Sequence, residues 1–213
     1  MTDDLIAKLA ADTAAVPRAA LSRRFGLGMV VGAVVCFALV LTWLGLRPDM
    51  DDAMHGMRFW MKASYTLWVA LASLPLAIAF SRPDGRVGVT PWLVLAFAPV
   101  FMLAMTAMEL MRTPESRWMA LVVGSSAMHC SWRILLLSIP IFGALVWVFK
   151  RLAPTRLAMA GLTAGLIAGG LAATMYGLHC QEPAVTFVTL WYTLGMVAAG
   201  ALGALVGPRL MRW

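Results

Sequence analysis

The chain is predicted to be an all-α, polytopic membrane protein, a bundle of six transmembrane helices. Three observations predict this. Of 213 residues, 62% are hydrophobic and 13% charged, whereas a soluble domain carries about a quarter charged residues. The apolar residues gather into six long runs, and a membrane-crossing helix needs roughly 20 of them in succession. The connections between runs are short and hold most of the charge, which leaves little of the chain outside a bilayer. The net charge of +7 is no argument for direct nucleic-acid binding, because Lys and Arg collect in the cytoplasmic loops of membrane proteins for topological reasons.

Residues 1–25 form a polar head. Thr2 is placed to cap a short helix, with Asp3 and Asp4 in the first turn, where the helix dipole favours acids. Leu5, Ile6 and Leu9 share one face, and Pro17 ends the segment. So short a helix is marginal alone in water. The head therefore reads either as a frayed tail or as a docking segment that folds on a partner through those three side chains. The spans follow at about 26–46, 59–80, 92–111, 130–149, 157–177 and 184–206, which makes 26–206 the transmembrane domain and 207–213 a tail. The fourth run proper, 134–149, is short, so it borrows residues 130–133, with Arg133 snorkelling to the interface. Residues 118–132 are also uncharged but too short to span, and read as a re-entrant or surface-lying segment. No cleavable signal peptide is evident, since the first run lacks a small-residue cleavage site and is long enough to cross.

The basic residues set the orientation. With the N-terminus inside, eleven Lys and Arg fall on the cytoplasmic side and six outside: Arg47, Arg58, Lys62, Arg112, Arg117 and Arg133. Both termini are thus expected in the cytoplasm. Trp60, Trp92, Trp118, Trp132 and Trp213 fall near the expected interfaces, as aromatic belts require. Pro75, Pro99 and Pro140 lie inside spans and are expected to kink them. Gly161, Gly165 and Gly169 make a small-residue face. Packing within one subunit is the favoured use of that face, and a dimer contact is the alternative.

The chemistry-bearing residues are a dipeptide that occurs twice, His129-Cys130 and His179-Cys180. The assigned orientation puts both pairs outside, each at the start of a helix running inward, so that spans four and six are parallel. A helix N-terminus favours a thiolate, and Arg133 would add to that effect. Two Cys and two His, namely Cys130, Cys180, His129 and His179, can satisfy a metal ion such as zinc or cadmium. The two cysteines alone can instead close a disulfide, and unrelated positions are the bland reading. The spacing is of low specificity, being neither CxxC nor HExxH. Cys36, mid-span, reads as a small buried apolar residue. Lys62 and Glu109 are the only charges within spans. Each is expected to snorkel to the interface, with a Lys62 to Glu109 pair as the alternative. No catalytic constellation is visible. A membrane thiol-disulfide oxidoreductase would ordinarily show a CxxC, and a small metal transporter would need more polar residues in its spans. These two remain the rival readings.

The head "DDLIAKLAADTAAVPR", the "GLRPDM" after the first run, "HCSWRILLLSIP", "RLAPTR", "LHCQEP" and the ending "LWYTLGM…LGALVGPRLMRW" together resemble the NrsF-type family. Its members are bacterial inner-membrane negative regulators of a sigma factor. The resemblance covers essentially the whole chain, and the two Cys-containing motifs and the ending are its most specific parts. It implies a six-span anti-sigma factor and no enzyme. Such a protein holds an extracytoplasmic-function sigma factor at the membrane and releases it under heavy-metal or oxidative stress. It implies Cys130 and Cys180 as the periplasmic sensing residues and the cytoplasmic head as the sigma-binding surface, with no cofactor required. Inclusion of His129 and His179 rests on the metal-ligand argument alone.

Overall fold

The computed structural model describes residues 18–82, 86–152 and 154–212. Every regular element among them is helical. Helix α1 (Arg18–Leu39) runs into a π turn at Val40–Leu44. A short α2 (Met50–His55) leads to α3 (Met57–Phe80) and then α4 (Thr90–Met111). The six-residue α5 (Trp118–Val123) precedes α6 (Ala127–Lys150). Helix α7 (Leu157–Tyr176) is followed by α8 (Val185–Leu210), which carries a second π turn at Val188–Tyr192. Among the described residues six helices are long and apolar enough to cross a membrane, as expected. The proposed docking side chains Leu5, Ile6 and Leu9 lie outside the described residues, as does Trp213.

The segment 118–132 divides in two. Its first part is α5, too short to cross, and its last residues are the start of α6. Between them Gly124 takes a positive φ of 52°, which a side chain would disfavour. Pro75, Pro99 and Pro140 sit inside unbroken helices.

Helix α7 is the hub. In its most apolar stretch 61% of residues are buried, against 17% for α4 and 22% for α1, so the latter two stand at the rim. The reason is the small side chains of α7, which let neighbouring backbones approach from several sides. Gly161, Gly165 and Gly169 face α8. A Cβ on Gly165 would lie 2.8 Å from the Cα of Gly200, closer than real side chains come. Gly170 faces α3, where a Cβ would lie 2.8 Å from the backbone N of Ala70. The glycine repeat therefore packs helices within one chain, the use favoured from the sequence. Hydroxyl pairs tie the helices where apolar packing alone gives no direction. Thr66 meets Thr174 at 2.8 Å, Tyr65 meets Thr193 at 2.6 Å, and Thr106 donates to Thr189 at 2.8 Å.

Helices α6 and α8 run parallel, as expected. Ser131 donates to the carbonyl of Trp191, Ile134 lies over Gly195, and Phe142 lies over Gly203, so the contacts advance in the same direction along both helices. One end of the bundle collects the connections 45–56, 112–126 and 177–184. Both paired cysteines lie there, and it is called the cysteine end below. Helix α1 begins at the opposite end, where Phe25 packs edge-on against Phe149 at 5.2 Å.

Candidate functional site

Cys130 and Cys180, separated in sequence by almost a quarter of the chain, meet in one buried pair. Cys130 lies on the first turns of α6, and its amide makes an early helical bond to the Ser126 carbonyl. Cys180 does not begin a helix, contrary to expectation. It belongs to the turn that closes α7, with its amide bonded to the Tyr176 carbonyl, and α8 starts only at Val185. Both side chains are buried, with exposures of 0% and 4%, and both are free thiols. The Cys130 thiol lies beside the sulfur of Cys180, within reach of it as a donor.

A helix dipole cannot account for the state of Cys180, since the nearest helix end is the C-terminus of α7. The hydrogen bond from Cys130 does so instead. That bond holds the Cys180 thiol below its ordinary pKa, assisted by the nearby Lys62 ammonium and against the opposing effect of burial. The asymmetry follows from position. Lys62 sits under the Cys180 turn, donating to the Cys180 carbonyl at 2.8 Å and to the Glu182 carbonyl at 3.4 Å, with its ammonium 5.5 Å from the Tyr192 ring centre.

Lys62 is 3% exposed, so it does not snorkel, and it does not pair with Glu109. A buried ammonium must be met by acceptors, and these carbonyls of the cysteine turn supply them. Glu109 takes a different role. Its carboxylate accepts from the Val185 and Thr186 amides at 3.2 and 2.7 Å and from the Thr186 hydroxyl at 2.8 Å. It caps the first turn of α8, where negative charge is favoured.

The loops around the pair are tied down on each side. Arg47 grips Asp49 with two nitrogens at 2.8 and 2.6 Å, which holds the exposed carboxyl down at about 2, and it reaches the Cys180 carbonyl at 3.5 Å. Its backbone amide bonds the Leu178 carbonyl at 3.0 Å. The carboxylate of Glu182 accepts from the amide and hydroxyl of Ser125, both at 2.6 Å, joining the cysteine turn to the residues before α6. A cavity of about 380 Å³ opens onto Cys180 between these loops, lined among others by Arg47, Ser126, Arg133 and His179. Within it the Ser126 hydroxyl and the Nε of Arg133 lack a partner among the described residues.

The two histidines part company. His179 Nδ1 donates to the Gly45 carbonyl at 3.0 Å, which leaves Nε2 to accept from Arg133 at 3.4 Å. Arg133 is thereby half-buried at the site rather than snorkelling. His129 is exposed, whereas its neighbour Cys130 is buried. The four-ligand set Cys130, Cys180, His129 and His179 is therefore not assembled. Among the described residues no group of three or more His, Cys, Asp or Glu side chains could hold a metal ion. Cys36 is buried within α1, away from the pair. Sequence reasoning missed Glu182, Ser125 and Tyr192. Of these only Glu182, two residues past Cys180, carried a signal, as an acid beside an expected site.

A profile of the family described as "NrsF: Negative regulator of sigma F" matches residues 9–213. The chain belongs to the NrsF family. It is 39% identical over 213 residues to the anti-sigma-F factor NrsF of Caulobacter vibrioides (strain NA1000 / CB15N), covering 100% of this chain and 99% of that protein. It is 36% identical over 214 residues to the probable anti-sigma-F factor NrsF of Azospira oryzae (strain ATCC BAA-33 / DSM 13638 / PS), covering 100% and 99%. No solved structure matches the chain. NrsF proteins are regulators and not enzymes, which sets aside the thiol oxidoreductase as a reading of the cysteine pair.

Proposed function

We propose that this protein is an inner-membrane anti-sigma factor with a redox- or metal-responsive thiol pair. The cysteine end faces the periplasm and both termini face the cytoplasm. The segment 1–25 holds an extracytoplasmic-function sigma factor through Leu5, Ile6 and Leu9. A stimulus at Cys130 and Cys180 releases it. The observation that carries this reading is the convergence of the two cysteines into a single buried, adjacent pair at the end of the bundle opposite to the start of α1. Lys62 and Arg47 hold the turn bearing Cys180, and Glu182 joins that turn to the residues before α6, the helix bearing Cys130.

Two stimuli suit two adjacent thiols. A peroxide removes two electrons and two protons as the sulfur–sulfur bond forms, and is itself reduced to water. A thiophilic ion such as cadmium or zinc displaces both thiol protons and takes the two sulfurs as two of its ligands, its other positions going to water. In either case the stimulus acts only if it favours one helix arrangement over the other. A coupling of about 1–3 kcal/mol is typical.

The test is co-purification of the full-length protein with its sigma factor, with and without peroxide or cadmium, while alkylation traps the thiols. Release together with loss of alkylation at Cys130 and Cys180 is the expected result. A C130S/C180S double variant that still releases the sigma factor normally would sink the sensing half. An L5D/L9D variant that still holds the sigma factor would sink the docking half.

A further inference from the structure

The positive charges at the cysteine end call for an explanation, because basic residues are depleted on the periplasmic side of membrane proteins. Six stand there, and the thiol site accounts for three: Arg47 with Asp49, Lys62 with the turn carbonyls, and Arg133 with His179. The side chains of the other three, Arg58, Arg112 and Arg117, make no hydrogen bond or ion pair among the described residues. They come from three separate segments, the start of α3, the end of α4 and the turn before α5, yet all line one cavity of about 680 Å³.

The interior of that cavity is apolar. Met61, Met105 and Met108 line it together with Leu121 and Val185, and unbranched thioether side chains adapt to chains of variable shape. Its one acid, Glu109, has both carboxylate oxygens engaged at the head of α8. The level is marked by two exposed tryptophans. Trp60 donates to the Met54 carbonyl, and Trp118 donates to the Leu110 and Thr113 carbonyls. Amphipathic rings settle at headgroup depth. A methionine-lined cleft open at that depth, rimmed by three free guanidiniums, is complementary to an apolar chain ending in a phosphate, which guanidinium binds with two parallel hydrogen bonds.

We propose that this cavity is a binding site for an anionic phospholipid of the surrounding membrane. Arg58, Arg112 and Arg117 take the headgroup phosphate, and the methionine walls take the upper part of an acyl chain. The site is separate from the thiol pair and stands whether or not the sensing role does.

The experiment uses the full-length protein, delipidated in a nonionic detergent. Thermal unfolding and native mass spectrometry follow titration with phosphatidylglycerol, phosphatidylcholine or inorganic phosphate. The expected result is saturable stabilisation and retention of phosphatidylglycerol, with no effect of the other two at equal concentration. An R58Q/R112Q/R117Q variant should bind it at least tenfold more weakly, and each single variant by an intermediate amount. The three side chains are exposed, so their exchange leaves the packed interior alone. An R82Q/R86Q variant, altered at the opposite end, should bind as wild type. Equal binding of phosphatidylcholine, equal stabilisation by inorganic phosphate, wild-type affinity in the triple variant, or equal loss in the R82Q/R86Q control would each overturn the proposal.

Discussion

Removing the Cys130 thiol should raise the pKa of Cys180. The Cys130 thiol is the principal group holding Cys180 below its ordinary value, and the Lys62 charge is second among the lowering influences. A hydrogen bond to an ionised partner contributes about 1.5–3 kcal/mol. One pKa unit corresponds to about 1.4 kcal/mol. Cys130→Ala should therefore move the Cys180 midpoint upward by about 1–2 units, with Lys62 still in place. The assay is the rate of carboxamidomethylation of Cys180 from about pH 4 to about pH 10, a range that brackets a free thiol, read by peptide mass on a Cys36→Ala background. The thiolate is the nucleophile, so a lower pKa lets the rate reach its plateau at lower pH, and the variant profile must be displaced to higher pH. Scaling each profile to its plateau removes differences in access through the cavity. The linked stability carries the same sign. Because the folded pKa of Cys180 lies below the unfolded one, the thiolate stabilises the fold above the unfolded thiol value and loses that contribution as pH falls through the folded value. In the variant the contribution should be smaller, and its loss should be complete at a higher pH. An unmoved midpoint, or one displaced downward, would refute the assignment of Cys130 as donor and Cys180 as acceptor.

Two further outcomes follow from the packing. Gly165→Ala puts a methyl group against the α8 backbone, which no rotamer change can relieve, so the cost should reach the upper part of the usual 1–3 kcal/mol for overpacking. Gly143→Ala, whose new Cβ meets nothing within 4 Å, should be neutral or stabilising, and equal thermal unfolding of the two variants in detergent would contradict the hub role of α7. Glu109→Ala removes the cap on α8, at a cost of about 1 kcal/mol. Amide exchange at Val185 and Thr186 should accelerate while exchange in α7 stays unchanged, and unchanged exchange at those two amides would show that the cap contributes nothing.

The spans were legible because a bilayer imposes a length and a composition that few other environments share. The six runs read from hydropathy match the six long helices to within a few residues at most ends. The parallel course of α6 and α8 followed from counting crossings, and the glycine face from its four-residue spacing. What the sequence could not convey was the direction of individual side chains near helix ends. Lys62 and Glu109 look alike as lone charges close to a span terminus, and snorkelling is the generic solution for both. The structure instead gives each a set of backbone partners from a distant loop, carbonyls for the ammonium and amides for the carboxylate. Those partners are free because α8 starts at Val185, as its hydropathy run at 184–206 suggests, while the cysteine belongs to the turn before it. The same uncertainty separated the histidines. Adjacent to a cysteine in both copies, one turns inward to the Gly45 carbonyl, freed where the π turn of α1 ends, and the other turns outward.

The geometry around the thiols also narrows how a change there can reach the other end of the bundle. The turn bearing Cys180 is fastened to α3 by Lys62, to the segment after α1 by Arg47 and Gly45, and to the approach of α6 by Glu182. Cys130 rides on α6, which spans the full depth of the bundle. On its far half α6 carries α1, whose backbone lies directly on it. A Cβ on Gly32 would fall 2.6 Å from the Cα of Ile141, and one on Gly28 would fall 2.9 Å from the Val148 side chain. Such an interface has no long, flexible side chain to absorb a displacement, only the Ile141 backbone and the stiff, β-branched Val148, and close-packed interiors transmit strain rather than damp it. A new bond or a shared metal ion at Cys130 would therefore act on α6 as a lever, and α1, which begins at the opposite end and continues the segment 1–17, is the helix that must follow. The proposed release of the sigma factor thus requires motion of two helices in contact, α6 and α1, and leaves α4, which packs on α3 and the head of α8, outside the path.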